Sequence, residues 1–161
     1  IHMLDLFLYL GGNFDLIHAS VSNLYWRLDV EDNVFATLEN TKTGLVASLH
    51  STMTQWRHLF SLDIFLEKGY LILNGLKTSS NTYGDEVLSI TKNRSIAPAA
   101  TWEDEEHITY HNDESMKMEI EEFFSAIYHN RRVSIGCSDD ALQLMRIVDK
   151  IYSFRKATPN G

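Results

Sequence analysis

Two short stretches of this sequence carry side chains that could do chemistry. The first contains His2, whose imidazole could accept and return a proton near neutral pH as a general base. The second is the stretch 54–58, where Trp56, Arg57 and His58 offer a stacking surface, a fork for a carboxylate or phosphate, and a hydrogen-bonding ring. We expect these three side chains to bind substrate, and the cluster favours an acidic or phosphorylated one.

Each candidate also has a structural interpretation. A histidine at a helix start is more often solvated than catalytic, and Trp56 could instead lie in the core at a twisted strand end, with Arg57 in water. Tyr83, in a polar loop, is a weaker candidate for substrate contact. Asp5 lies near a helix start, where a carboxylate can bind backbone N–H groups, so we interpret it as architectural.

Composition limits the class of protein. The 161 residues, of which 44% are hydrophobic, suffice for one core, so we expect a single domain over 1–161. The net charge of −8, with dispersed basic residues, argues against nucleic acid and anionic membranes and leaves small molecules or proteins as partners. A single cysteine, Cys137, cannot form an internal disulfide, which favours a cytoplasmic location.

The first ten residues are predicted to form a helix that has a C-terminal capping signal but no N-cap residue. The apolar run from Ile1 to Leu10 leads into Gly11-Gly12, and glycine commonly ends helices. Nothing ahead of Ile1 could cap the first turn. We therefore expect the chain to be the C-terminal part of a longer protein. The run is too short, and contains Asp5, to span a membrane.

The middle of the chain changes to the alternating pattern of β-strands. Turn residues at 40–44 and 67–69 predict two hairpins, the second using Gly69 for a positive φ, so the sheet should be largely antiparallel. The predicted strands cover 15–29, 34–39, 45–53, 59–66, 70–74 and 87–92.

Two amphipathic helices follow, one ending near Tyr128 and one beginning after Ser138, a good N-cap. The segments 77–86 and 94–113 are predicted loops, the latter with room for a short edge strand. Because a short connector joins the helices, we expect them to lie together against the sheet. The predicted fold class is α+β, an open, largely antiparallel sheet with helices packed on one face.

The second face of the sheet is expected to form an interface. It mixes polar residues with Phe35, Val46 and Phe65, which is neither plainly solvated nor plainly core. We predict a homodimer or tetramer that associates through this face. The alternative is that these apolar residues are ordinary surface.

The sequence lacks the motifs of several common binding sites and enzyme classes. Gly11-Gly12 is not followed by the third glycine of a dinucleotide fingerprint, and no Gly-x-Ser-x-Gly elbow occurs. The lone cysteine excludes a cysteine-based zinc cluster, and no His-Glu-x-x-His occurs among the seven histidines. We therefore expect no metal site and no nucleotide-binding motif in this chain.

The order of the remaining motifs resembles one enzyme family. His2-Met3-Leu4-Asp5-Leu6 followed by Tyr9-Leu10-Gly11-Gly12 resembles the start of the C-terminal domain of the glucose-fructose oxidoreductase, inositol dehydrogenase and rhizopine catabolism (Gfo/Idh/MocA) oxidoreductases. Further matching pieces follow in order: Val30-Glu31-Asp32-Asn33, Glu67-Lys68-Gly69-Tyr70-Leu71, Phe123-Phe124-x-Ala126-Ile127, Ser138-x-Asp140-Ala141 and Ile147-Val148-Asp149-Lys150-Ile151-Tyr152.

The resemblance implies an NAD- or NADP-dependent enzyme whose N-terminal dinucleotide-binding domain is absent from this chain. It implies that His2 is the general base for a sugar, polyol or nucleotide-sugar hydroxyl, and that residues before the second hairpin line the substrate pocket. The family pattern also has an Asp one turn before this histidine and a catalytic Lys, neither of which is present, so the chain alone should be inactive. The competing hypothesis is a stand-alone dimerisation or ligand-binding module without redox activity.

Overall fold

A computed structural model of the protein describes residues 1–92 and 101–157. It contains three α-helices, seven β-strands and one short 3₁₀ turn in this part of the chain. The helices and strands are α1 (His2–Gly11), β1 (Asp15–Ser22), β2 (Asn33–Asn40), β3 (Leu45–Thr52), β4 (Ser61–Leu66), β5 (Gly69–Asn74), β6 (Glu86–Lys92), β7 (Glu106–Tyr110), α2 (Ser115–Tyr128) and α3 (Ser138–Ala157).

The chain forms two compact units. The first combines Ile1–Thr54 with the chain from Ala126 onward, and the second comprises Gln55–Ser125. Each unit has its own sheet, with strand orders β1-β2-β3 and β4-β5-β6-β7, and every pairing is antiparallel. The predicted α+β class and the antiparallel pairing are therefore confirmed, with the strands divided between two sheets.

The first sheet has the predicted register. Leu38 lies opposite Ala47 and Ala36 lies opposite Leu49, as the alternation of apolar residues predicts. The helices α1 and α3 cover this face of the sheet, and the face bears the core of the unit. The buried core residues are Leu4, Phe14, Ala19, Ala36, Leu38, Leu49, Leu144, Ile147 and Ile151.

Polar contacts fix α3 along the length of the first sheet. Gln143 contacts Asn13 just before β1, and Lys150 Nζ lies 3.0 Å from the carboxylate of Asp15 at the beginning of β1. Further along α3, the hydroxyl of Tyr152 donates to Glu31 at 2.6 Å, just before β2 begins. The helix therefore runs from the beginning of β1 towards its end.

The second sheet contains the predicted hairpin at residues 67–69. Leu66 pairs with Gly69 across a two-residue turn. Gly69 has a φ of 155°, and a Cβ atom there would lie 2.0 Å from the carbonyl oxygen of Thr91 on the neighbouring strand. Glycine is required at this position because the two backbones approach too closely for any side chain.

The structure differs from the sequence prediction after β1. The strand predicted over 15–29 ends at Ser22, because the following residues turn away into a loop instead of continuing the ladder. The segment predicted as a loop over 94–113 contains the short edge strand β7, which pairs with β6, and a 3₁₀ turn at Trp102–Asp104. Residues 94–100 of that prediction lie outside the described residues.

The apolar side chains of the amphipathic helix α2 are mostly exposed. Only Ala126 is buried in α2, and its larger apolar residues are exposed, so α2 lacks a packed face. The helix beside α3 is α1, whose almost continuous apolar sequence supplies Leu4 to the core. No helix in the described part of the chain combines the length and apolar content needed to cross a bilayer.

Candidate functional site

His2 occupies the first position of α1 with its side chain exposed. The backbone N–H of Asp5 donates to the carbonyl of Ile1 at 3.1 Å, which closes the first turn of the helix, the turn that carries His2. Leu4, two residues further along, is buried in the core of the first unit and anchors this turn. The imidazole is therefore held on a fixed backbone and remains open to solvent and ligands.

The C-terminal end of α1 is fixed to one end of the first sheet. The amide of Asn40, at the turn between β2 and β3, donates to the carbonyl of Gly11 at 2.7 Å, so this end of the helix lies at that turn. The helix extends about 15 Å from there to His2.

A loop over residues 23–32 joins β1 to β2. It presents Tyr25 and Trp26 with 66% and 53% of their surfaces exposed. Their rings meet edge to face, with centroids 5.0 Å apart and planes 80° apart. The loop thus forms an aromatic corner that sequence analysis missed, because the segment was interpreted as part of a strand.

A buried carboxylate positions this corner. Asp32 is 4% exposed and accepts the backbone N–H groups of Tyr25 and Trp26 at 2.7 and 3.0 Å. The bond from Trp26 is the main cause that holds the pKa of Asp32 below its ordinary value of 3.8; burial opposes it, and the bond from Tyr25 adds to it. The charged form of Asp32 is therefore the form that stabilises the loop.

Acid should weaken this loop through Asp32. Because its pKa is lower in the folded protein than in the unfolded chain, its contribution is present above the unfolded pKa and is lost as the pH falls through the folded pKa. We expect Asp32→Asn to lower the melting temperature at neutral pH, and the difference from wild type to shrink below about pH 4.

Thermal melts of both proteins at neutral and acidic pH, followed by circular dichroism, measure this difference. Asp29→Asn is the matched control, since Asp29 is an exposed carboxylate in the same loop. A constant difference between wild type and Asp32→Asn at every pH would show that the charge of Asp32 does not matter.

Four further hydrogen bonds fix the 23–32 loop. The amide side chain of Asn23 both donates to the carbonyl of Leu28 and accepts its N–H, the latter at 3.1 Å. The indole N–H of Trp26 donates to the carbonyl of Met53 at 3.1 Å. Tyr152 binds Glu31 from α3. Inside this frame Arg27 is held at a φ of 53°, a conformation that side-chain-bearing residues adopt uncommonly.

The predicted substrate-binding residues lie in the second unit, and two of them meet. His58 Nδ1 lies 2.7 Å from the hydroxyl oxygen of Thr82, and the His58 ring lies 5.1 Å from that of Tyr83. Arg57 donates to the carbonyl of His58 at 3.1 Å. Trp56 is fully exposed, so the alternative that placed it in the core is wrong.

Two open grooves lie on the first unit, and neither is lined by the predicted site residues. One, of 620 Å³, lies between α3 and the residues Asn13 and Phe14. The other, of 470 Å³, is lined by Asp5 and Tyr9 of α1 together with residues 134–136 and α3. The positions of these two grooves therefore do not coincide with the residues that the sequence predicts to bind substrate or to act as general base.

Comparison with known protein families finds a match at the beginning of the chain. Residues 1–72 match the GFO/IDH/MocA C-terminal domain. The resemblance inferred from the sequence is confirmed by this match, which includes His2, Trp56, Arg57 and His58. The motifs around Phe123 and in α3 lie beyond the matched residues. No curated protein matches the sequence.

Solved structures share the fold over nearly the whole chain. A protein of Desulfitobacterium hafniense aligns with a TM-score of 0.73 at 15% identity, covering 98% of this chain and 44% of its own. The WlbA dehydrogenase of Bordetella pertussis, solved with NADH and UDP-GlcNAcA, aligns with a TM-score of 0.67 at 20% identity; the alignment covers 97% of this chain and 42% of WlbA. The UDP-N-acetylglucosamine 3-dehydrogenase GnnA of Acidithiobacillus ferrooxidans aligns with a TM-score of 0.65 at 21% identity; the alignment covers 98% of this chain and 44% of GnnA. This chain thus spans less than half the length of these structures.

Gly11 and Gly12 do not have the geometry of a pyrophosphate cradle for a nicotinamide cofactor. Gly11 and Gly12 close α1, and the N–H of Gly12 donates to the carbonyl of Leu8 instead of pointing at a ligand. A dinucleotide fingerprint has the reverse arrangement, with glycines at a helix start. Within the described residues, no group of three potential ligands could hold a metal ion.

Proposed function

We propose that this chain is the C-terminal, substrate-binding half of an NAD(P)-dependent oxidoreductase that acts on a hydroxyl of a sugar, polyol or nucleotide sugar. The observation that carries the proposal is the exposed His2 at the start of α1, inside the residues that match the GFO/IDH/MocA C-terminal domain. We also propose that the protein is cytoplasmic, because its single cysteine allows no internal disulfide.

The role proposed for His2 is that of a general base. Its neutral ring would accept the proton of the substrate hydroxyl while the hydrogen on the same carbon leaves as hydride. The cofactor, when bound, supplies the hydride acceptor. In the reverse direction the protonated ring returns its proton to the newly formed alkoxide. We propose that the cofactor is bound mainly by a dinucleotide-binding domain outside these 161 residues, as the resemblance to the oxidoreductase family implies.

Among the substrate classes, we favour a nucleotide sugar. The WlbA structure contains UDP-GlcNAcA, and GnnA is a dehydrogenase of UDP-N-acetylglucosamine; both share this fold. The proposed substrate-binding residues are Trp56, Arg57, His58 and Tyr83. A guanidinium such as that of Arg57 suits phosphate or carboxylate groups, and such a ligand would compete for its bond to the carbonyl of His58.

The experiment that tests the function uses the protein together with the sequence encoded upstream of Ile1. Sugars, polyols and UDP-sugars are screened with NAD and with NADP, and formation of the reduced nicotinamide is recorded. We expect turnover with at least one member of these classes. If the protein neither binds a nicotinamide cofactor nor oxidises any of them, the stand-alone binding module becomes the better explanation.

We further propose that the protein forms a homodimer or tetramer through the sheet face that lacks helices. Phe35 and His50 stack there with ring centroids 4.1 Å apart, and Phe35 and Val46 remain 48% and 58% exposed. In the second sheet Phe65 is 67% exposed. Exposed apolar residues on regular strands are typical of a surface covered in an oligomer.

A charge placed on this face should dissociate the oligomer. We expect Val46→Asp to shift the protein towards monomer in analytical ultracentrifugation, because an unpaired carboxylate would be buried in the interface. Val30→Asp is the matched control, since Val30 is 60% exposed but lies in the 23–32 loop and outside the sheet. A wild-type protein that sediments as a monomer at high concentration would contradict the interface.

A further inference from the structure

The 23–32 loop exposes apolar side chains that contribute little to the core of the first unit. Tyr25 and Trp26 are more than half exposed. Several other large apolar residues of the loop share this exposure: Leu24, Leu28 and Val30. A connection that served only to join β1 to β2 would be expected to carry polar turn residues at these positions.

Contacts within the protein fix the backbone of this loop. Asp32 holds the backbone of Tyr25 and Trp26, and the indole N–H of Trp26 is bound to Met53. Burial of a carboxylate is unfavourable unless its oxygens are hydrogen-bonded, and here both bonds hold the aromatic corner in place. Rigid aromatic side chains lose little conformational entropy when a ligand binds, so the arrangement is pre-organised for binding.

The charge beside the corner indicates the kind of ligand. Arg27 follows Trp26 directly, is exposed, and is held at a φ of 53°. Two of the loop's carboxylates, Glu31 and Asp32, already accept hydrogen bonds from the protein. An exposed guanidinium next to two aromatic rings combines the groups that recognise a phosphate and a planar base.

We propose that Tyr25, Trp26 and Arg27 bind the nucleoside diphosphate portion of a nucleotide-sugar substrate, an inference that rests on the proposed function. The base stacks against the aromatic corner, and the diphosphate lies against the guanidinium of Arg27. Asp32, which binds the backbone N–H groups of Tyr25 and Trp26, acts as the positioning residue of the subsite.

The test measures equilibrium binding, which needs no turnover. The 161-residue protein labelled with ¹⁵N is titrated with UDP, ADP or N-acetylglucosamine, and the indole signals of its three tryptophans are followed by NMR. UDP should shift the Trp26 signal in a saturable manner and leave that of Trp102 unchanged. We expect Trp26→Leu to weaken UDP binding by about 5- to 150-fold, as loss of one base–aromatic stack does.

Two variants separate this subsite from a general effect on folding. Trp102→Leu is the matched control, because Trp102 is 76% exposed and lies in the second unit; it should bind UDP as the wild type does. Arg27→Asn should also weaken binding, since asparagine tolerates a positive φ and removes only the charge. Spectra of each variant report whether the fold is intact.

The remaining outcomes overturn the proposal. Equal or tighter binding of ADP would assign the corner to the cofactor's nucleotide, and a Trp26 shift with N-acetylglucosamine alone would assign it to the sugar. Broadening of the Trp26 signal with protein concentration, without UDP binding, would assign it to a protein interface. Absence of UDP binding also overturns it, whereas sugar oxidation in the substrate screen would leave the proposed function standing.

Discussion

Replacing His2 with alanine is expected to lower kcat for hydroxyl oxidation by about 10²–10⁴-fold in the enzyme that includes the upstream sequence, the range that a positioned general base contributes. The loss should fall on kcat more than on KM, because the imidazole accepts the proton only as hydride leaves. Steady-state kinetics on a substrate found in the screen measure both constants. The limb of the pH profile that reports the base should disappear in the variant.

Two features make the His2 experiment interpretable. Alanine is the best helix former and the His2 side chain is exposed, so α1 should stay folded in the variant. His111→Ala is the matched control, because His111 is an exposed histidine in the second unit that is assigned no role. A loss of only a few-fold in His2→Ala, or an equal loss in both variants, would remove the general-base role.

Local patterns predicted much of the first unit. The apolar run before Gly11-Gly12 became α1, and the alternation in 33–40 and 45–52 became two strands in the predicted register. These elements were predictable because a single side-chain period defines each of them. The hairpin at 67–69 was predictable for a similar reason, since Gly69 marks the close approach of two strands.

The 23–32 loop could not be predicted in the same way, because a distant contact decides it. Tyr25 and Trp26 are good strand residues, and their alternation favoured a strand up to Asp29. The carboxylate of Asp32 accepts hydrogen bonds from the backbone N–H groups of both residues, so the backbone leaves the strand ladder after Ser22. The local signals were Asp29, Asp32 and Asn33, whose residue types favour turns.

Among the candidate site residues, features set by neighbouring residues could be predicted and contacts between distant residues could not. The exposure of His2 follows from its place at the start of an apolar helix. The contacts of His58 with Thr82 and Tyr83 join residues about 24 positions apart, and no periodicity connects them. Helix α2 was predicted, but its surroundings were not, because amphipathic spacing reports that a helix has an apolar face and says nothing about which surface covers it.

Leu38→Ala is expected to destabilise the first unit by about 2–5 kcal/mol, the range for deleting a fully buried leucine side chain. Leu38 is 1% exposed on the central strand of the first sheet, opposite Leu16 and Ala47, beneath the helices α1 and α3. Alanine would leave a cavity that these rigid neighbours cannot fill. Because small domains have only about 5–15 kcal/mol of stability in total, such a loss is large.

Urea denaturation followed by circular dichroism measures the loss for Leu38→Ala. The matched control is Leu24→Ala, which makes the same chemical change at a leucine that is 81% exposed and should alter the stability by no more than about 0.5 kcal/mol. A similar effect in both variants would contradict the packing of α1 and α3 on the first sheet. Since α1 carries His2, that result would also remove the fixed backbone on which the proposed general base depends.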